Sequence, residues 1–416
     1  MKAKAAQFRF LPVGLVAVVT FLLLRSNLCE WYLVPSPSME PTLHGEASHG
    51  DLVLVDKTAF WRSEPRIWDQ VVVRGGKEGQ IVKRLICLGG VHGSFVAIRN
   101  GDVFVGPEEH QLARLVKDSL DDRDLRITHV EFPSALGGDR PADWLRGATF
   151  GRRGFELDPA AKSPEDLTAL LFDAAHSARR NEETPDVHVP GHLSTLRPVD
   201  MSFLDGRGVR WPGHDSFDQD FGMEVVCVPG VGCEALQLVF EHQDVYWSFL
   251  YRANGSITLH RAGVATGVSG VGKELRQGEP LQVEFGHLDG RFFVIAGGLR
   301  ALLHEQELPE PSLEPVYRGP RMTNLLHLGA AGGKCNLERL RIFRDLWYRP
   351  APLALVPIGA PVRVEPSEMF LLGDNTFDSL DSRMRSRTEG QFRRSDLLGR
   401  PCAILAPRGR ARWLQR

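Results

Sequence analysis

The 416 residues predict a mainly β fold, built as more than one domain behind an N-terminal transmembrane helix. Three observations carry this expectation. Short runs of alternating apolar and polar residues, bounded by Asn-Gly, Asp-Gly and Gly-Glu-Pro turns, recur along most of the chain. One uncharged apolar run stands near the N-terminus, and the length exceeds what a single core ordinarily organises. The composition is that of a folded protein, 43% hydrophobic and 25% charged with no low-complexity tract. A net charge of −2 lacks the basic excess of a nucleic-acid binder, so no nucleic-acid partner is expected.

Lys2, Lys4 and Arg9 precede the apolar run 10–24, which Arg25 closes. The run is shorter than the roughly 20 residues that cross a bilayer. Arg25 can snorkel, however, and Leu28, Trp31, Tyr32, Leu33 and Val34 extend the apolar character toward an interface. No small-x-small cleavage site follows, which favours an uncleaved anchor over a removable signal peptide. The leading positive charges set a single-pass topology in the cytoplasmic membrane, N-terminus inside and everything after Arg25 outside. The lipid bilayer is thus an expected partner.

Beyond the anchor (1–28), residues 51–56, 70–74 and 81–88 read as strands, and Asn100-Gly101 between apolar flanks marks a hairpin over 97–105. A first β region therefore covers 29–106. A polar connecting segment, 107–185, follows. It holds one helix signal, in which Ser163 caps, Pro164 starts and Glu165 and Asp166 fill the first turn. Alternation returns at 236–241, 246–252, 256–261, 281–285 and 291–296, the spacing of an all-β sandwich placed at 186–348. The pattern of 281–295 and 340–348 resembles a concanavalin-A-like (laminin-G-type) jelly roll. A final β segment, 349–416, closes the chain. The six cysteines show no CxxC pair or metal spacing. Cys227 and Cys233 flank a Val-Pro-Gly-Val-Gly turn and are placed either to form a disulfide or to stay as buried thiols.

Three boxes carry chemistry. The first is Ser36-Pro37-Ser38-Met39-Glu40-Pro41-Thr42, directly after the anchor. A serine hydroxyl needs a base to become a nucleophile, and His44 and His49 lie in a polar loop and read as solvated. The second box, from Gln80 to Gly90, instead sets Lys83 and Arg84 inside an apolar strand among Ile81, Val82, Leu85 and Ile86. Strand alternation sends the two to opposite faces, one to the site and one to the surface. A lysine is a base only when neutral, and apolar surroundings disfavour its charged form. The third box is Gly373-Asp374-Asn375-Thr376-Phe377-Asp378-Ser379-Leu380-Asp381-Ser382-Arg383. Read alone, the first box is a turn, the second an edge strand, and the third a turn or a calcium loop.

Together, in this order, the boxes resemble those of bacterial type I signal peptidases, proteases with a serine–lysine dyad. The resemblance implies Ser38 as nucleophile and Lys83 as general base. It implies an oxyanion hole from the Ser38 N–H and the Ser36 hydroxyl. Ser379 would orient the lysine, and Asp381 and Arg383 would pair near the site beside Gly373, Asp374 and Asn375. No metal or cofactor is implied. The expected substrates are the signal peptides of exported preproteins, cut after small side chains. Two departures stand out: Gly89-Gly90-Val91 differs from the usual turn after the lysine strand, and the segment after Arg383 is unusually basic. A third is the gap between the second and third boxes, too long for a loop. A signal-peptidase-type β catalytic domain split by an inserted β-sandwich accounts for it, with a ligand for the insert unidentified. A self-cleaving repressor shares the dyad but has no membrane anchor. The alternative from another class is a membrane-tethered glycan- or protein-binding sandwich on a degenerate peptidase scaffold, against which the intact boxes count.

Overall fold

Strands make up nearly all regular structure in the computed structural model, as the alternating runs require. It describes residues 27–61, 63–75, 79–99, 101–117, 125–132, 145–146, 149–151, 154–164, 193–195, 203–204, 210–211, 220–242, 245–305, 326–348, 360–385 and 390–414. The apolar run 10–24 lies outside these, as does the expected helix beyond Pro164. Among the described residues no helix is long and apolar enough to cross a membrane. Two compact units form, one up to Leu115 together with Tyr348 onward, the other from Val116 to Trp347.

The first unit opens with β1 (Cys29–Leu33), β2 (Leu52–Asp56), β3 (Gln70–Arg74), β4 (Gln80–Leu88), β5 (Ser94–Arg99) and β6 (Asp102–Gly106). Its main sheet runs β1, β2, Leu397–Ala406, β3, β4, Glu368–Leu372 and Phe392–Arg393, so strands from the C-terminal segment sit between and beside the early ones. Leu397–Ala406 pairs antiparallel with both β2 and β3, and Glu368–Leu372 pairs with β4. Alternate apolar residues of these strands (Val71, Val73, Leu85, Met369 and Leu371) form one core. Val34, Met39, Leu43, Val53 and Ile404 form a second beneath the serine box. A smaller sheet holds the expected hairpin of β5 and β6, in which Arg99 faces Asp102 across a two-residue turn. Gly101 there has φ 93°, a left-handed conformation that suits glycine.

Among the described residues the second unit holds a two-stranded ribbon of Phe203–Leu204 and Arg210–Trp211, and two eight-stranded sheets sharing one apolar core. The centre of one is Cys335–Arg344, Phe221–Pro229 and Leu281–Leu288; the centre of the other is Val245–Arg252, Ala235–His242 and Leu326–Ala331. Phe240 and Phe292, one from each sheet, meet with ring centroids 5.5 Å apart. The expected strands at 256–261 and 291–296 are found with those bounds. The unit takes in strands ahead of residue 186: Ile127–Phe132 and Gly154–Leu157 both pair with Cys335–Arg344. Their polar, charge-rich surroundings hid this pairing from a reading of local alternation.

Candidate active site

Ser38 lies in the single 3₁₀ turn Pro37–Met39, started by the fixed φ of Pro37 and entered through extended Ser36. Met39 fills the core below, so the turn is held from beneath while Ser38 stays at its upper side, itself mostly buried. Lys83 sits on β4, held in register by Val71 of β3. Its Nζ donates a 2.6 Å hydrogen bond to Ser38 Oγ, and the ammonium end is almost wholly removed from solvent. Ser36 Oγ lies 3.4 Å from Ser38 Oγ on the solvent side. A cleft opens beside the pair, lined by Tyr32, Val34, Pro35, Val72, Ile81 and Val82.

Arg84 corrects one expectation, since it does not reach the surface. Its side chain is fully buried, with Nε and Nη2 on the two oxygens of Asp374 at 2.7 and 2.6 Å and Nη1 on the Trp68 carbonyl at 2.7 Å. The reason is that β4 is an interior strand, paired on both sides, and is covered on both faces. Alternation separates Lys83 from Arg84 but leaves both inside. Thr42 Oγ1 donates to the same Asp374 at 2.5 Å, tying the serine box to the third box.

The third box wraps the serine turn. The Asn375 N–H donates to the Ser38 carbonyl at 3.1 Å and Asn375 Nδ2 to the Pro37 carbonyl at 3.2 Å. Gly373 passes so close that a Cβ there would collide with the Ser38 carbonyl and with Ser379. Asp381 and Arg383 pair in bidentate fashion at 2.8 and 2.7 Å, and Asp381 also accepts the Gly373 N–H at 3.0 Å. Burial opposes the Asp381 charge, but the adjoining Arg383 guanidinium and the Gly373 N–H outweigh it and hold the carboxyl below its ordinary value. Arg383 further binds the Thr376 carbonyl and hydroxyl, closing the loop on itself. Ser379 Oγ is buried next to Gly373, and no hydrogen bond joins it to Lys83.

His44 is the second correction. It is buried, its Nδ1 lying 2.5 Å from the fully buried Glu40 carboxylate, while His49 is exposed as expected. The His44 N–H donates to Asp51 at 2.8 Å, and Arg410 holds both oxygens of that aspartate at 2.8 Å. Glu40 is the residue that local pattern missed. A glutamate and histidine four apart in a loop were the available signal, and only the buried carboxylate explains why the histidine turns inward. All six cysteines are free thiols.

A family described as "Signal peptidase, peptidase S26" matches residues 7–140. The signal peptidase I of Mycobacterium tuberculosis (strain CDC 1551 / Oshkosh) is 33% identical over 232 residues, covering 50% of this chain and 74% of that protein. The signal peptidase I of Bacillus licheniformis is 34% identical over 103 residues, 24% of this chain and 52% of that protein. Among solved structures, Caenorhabditis elegans galectin LEC-6 aligns at a TM-score of 0.23 and 12% identity, over 30% of this chain and 81% of its own. The carbohydrate binding module CBM66 from Bacillus subtilis aligns at 0.20 and 11%, over 37% and 83%.

Proposed function

Because the chain belongs to the signal peptidase I family and is a serine peptidase of that type, we propose that it cuts signal peptides from exported preproteins with Ser38 as nucleophile and Lys83 as base. The observation that carries the reading is the buried 2.6 Å contact of Lys83 Nζ with Ser38 Oγ. Removing an amine from water disfavours its charged form, which is the state a base must leave. Neutral Lys83 takes the Ser38 proton as Oγ attacks the scissile carbonyl. It then delivers that proton to the departing amine, leaving an acyl-enzyme that water hydrolyses by the reverse route.

The Ser38 N–H and the Ser36 hydroxyl are assigned to the developing oxyanion, Ser36 rotating from its present contact toward the cleft. Ser379 is assigned to orient the lysine, on the strength of its place in the third box and its buried hydroxyl beside Gly373. Asn375 is assigned to hold the backbone at Pro37 and Ser38, while Asp374, paired with Arg84 and Thr42, and Asp381, paired with Arg383, hold the loop that carries it. The walls of the cleft, Val34, Val72, Ile81 and Val82, suit small apolar side chains ahead of the cut.

The run 10–24 is assigned as a single membrane anchor with the N-terminus in the cytoplasm and both units outside. Exposed Trp31 and Leu33 just beyond it suit the headgroup layer. The second unit is assigned as a module inserted into the catalytic one. The decisive experiment is cleavage of a model preprotein by the purified chain. Ser38→Ala and Lys83→Met should each abolish it with the circular dichroism spectrum unchanged. Activity retained in either variant would sink the dyad. A reporter fused after Arg416 should be active only outside the cytoplasm.

A further inference from the structure

Three cysteines in the second unit play no part in the peptidase chemistry. We propose that Cys233 and Cys335 are a disulfide-forming pair whose bond ties together the two corners at one end of the sandwich.

Phe221–Pro229 belongs to one sheet and Ala235–His242 to the other, so the turn that holds Cys233 is a corner between sheets. Leu326–Ala331 and Cys335–Arg344 are likewise split between the sheets, and Cys335 is the first residue past their corner. The corners lie against each other. Gly230 N–H donates to the Lys334 carbonyl at 2.7 Å and Glu234 N–H to the Ala331 carbonyl at 2.9 Å. A Cβ on Gly333 would come within 2.5 Å of the Cys233 nitrogen. Both cysteines belong to the apolar core, and the Cys335 thiol interacts with those of Cys227 and Cys233.

The register decides between the two neighbours. Cys227 stands opposite Leu337, which makes Cys335 its diagonal neighbour. Diagonal Cα atoms lie about 7–8 Å apart, beyond the roughly 4.4–6.8 Å that a disulfide spans. The Cys227 thiol is also engaged, donating to the Leu281 carbonyl at 3.2 Å. Cys233, in the turn, is free of the ladder and can close the remaining distance. The Cys227–Cys233 pairing that the sequence allows is therefore displaced by a partner about a hundred residues downstream, whose loop closure constrains the unfolded chain far more.

Contact with Cys335 holds the Cys233 thiol below its ordinary value although burial pulls the other way. Cys335, against two thiols and buried, lies well above its own. Cys233 therefore reacts first. Its thiolate attacks one sulfur of an external disulfide, forming a mixed disulfide and releasing one thiolate. Cys335 gives its proton to water, attacks Cys233 Sγ and displaces the second thiolate. Two thiol protons are lost, and the external disulfide gains two electrons.

The test is peptide mapping of the detergent-solubilised full chain. One sample is equilibrated with oxidised glutathione and one with dithiothreitol; both are alkylated and digested without reduction. The expected result is a Cys233–Cys335 linked peptide in the oxidised sample only, lost in Cys233→Ala and Cys335→Ala and kept in Cys227→Ala. Oxidation should also raise the Tm by several degrees in the wild type and not in the first two variants. Complete alkylation after oxidation, a glutathione adduct left on Cys233, or a link involving Cys227 would each overturn the assignment. None of these outcomes bears on the dyad.

Discussion

Arg84 and Asp374 are both taken wholly out of water, which costs several kcal/mol per ion unless the pair is well matched. Two parallel hydrogen bonds, the Trp68 carbonyl and the Thr42 hydroxyl supply that match. Asp374→Ala should therefore destabilise the protein by about 3–5 kcal/mol, read from urea unfolding, because the guanidinium stays buried without its counterion. Arg84→Lys should recover only part of the loss, since an ammonium cannot hold both oxygens. The Asp381–Arg383 pair gives a pH signature. Its folded carboxyl lies below the ordinary 3.8, so its stabilisation is complete above that value and fades as pH falls through the folded one. The Tm gap between wild type and Asp381→Asn should be full at neutral pH and shrink below about pH 4. A gap that stays constant down to pH 2 would mean that the charge is not what matters. Ser36→Ala should lower the cleavage rate by about 10²–10³ with little change in stability. The residues that sequence could identify, Ser38 and Lys83, are those whose neighbours form an unusual local string. Arg84 and His44 escaped because their partners, Asp374 and the buried side of Glu40, become visible only after folding.

The glycine at the head of the third box shows what an element contributes that a side-chain list omits. Glu368–Leu372 pairs with β4, so Leu372 faces Arg84 and the chain then leaves the sheet at Gly373 directly over the serine turn. Gly373→Ala would push a methyl group into the Ser38 carbonyl, which is backbone and has no rotamer to move to. A displacement of about 1 Å between Ser38 and Lys83 can cost about 10²-fold in rate. That variant should fold, judged by circular dichroism, and lose about that much kcat. Wild-type kcat in it would show that the loop has room to spare. The strands themselves were largely legible, because Ser256–Arg261 follows simple alternation while β3 and Arg291–Ala296 are short apolar runs bounded by polar residues and turns. Their pairing was not. Nothing in 397–406 says that it belongs between β2 and β3, more than three hundred residues away in sequence. The lysine strand is likewise apolar on both faces, so periodicity there carries no sidedness.

At the scale of the whole molecule, the first unit contains its own means of tolerating the second. Leu115 N–H donates to the Val103 carbonyl at 2.8 Å and Tyr348 N–H to the Gly101 carbonyl at 3.0 Å. The points where the chain leaves the unit and returns are thus fastened two residues apart, at Val103 and at Gly101 just ahead of β6. Ends this close admit a large insertion at small entropic cost. Replacing 116–347 with a short Gly/Ser linker should leave a protease that still cuts a short model peptide. A folded but inactive deletion variant would instead make the second unit part of the active site. The large gap between boxes made an insertion legible, whereas its start at Val116 depended on short strands that alternation does not mark. The position of Leu397–Ala406 also sets an order of events during synthesis. A growing chain exposes the serine box, the lysine strand and the entire second unit before the ribosome has made the strand that joins β2 to β3. The sheet that brings Ser38 to Lys83 can close only once Leu397–Ala406 has been made. Until then no strand lies between β2 and β3, and nothing in the sheet holds the serine turn against the lysine strand.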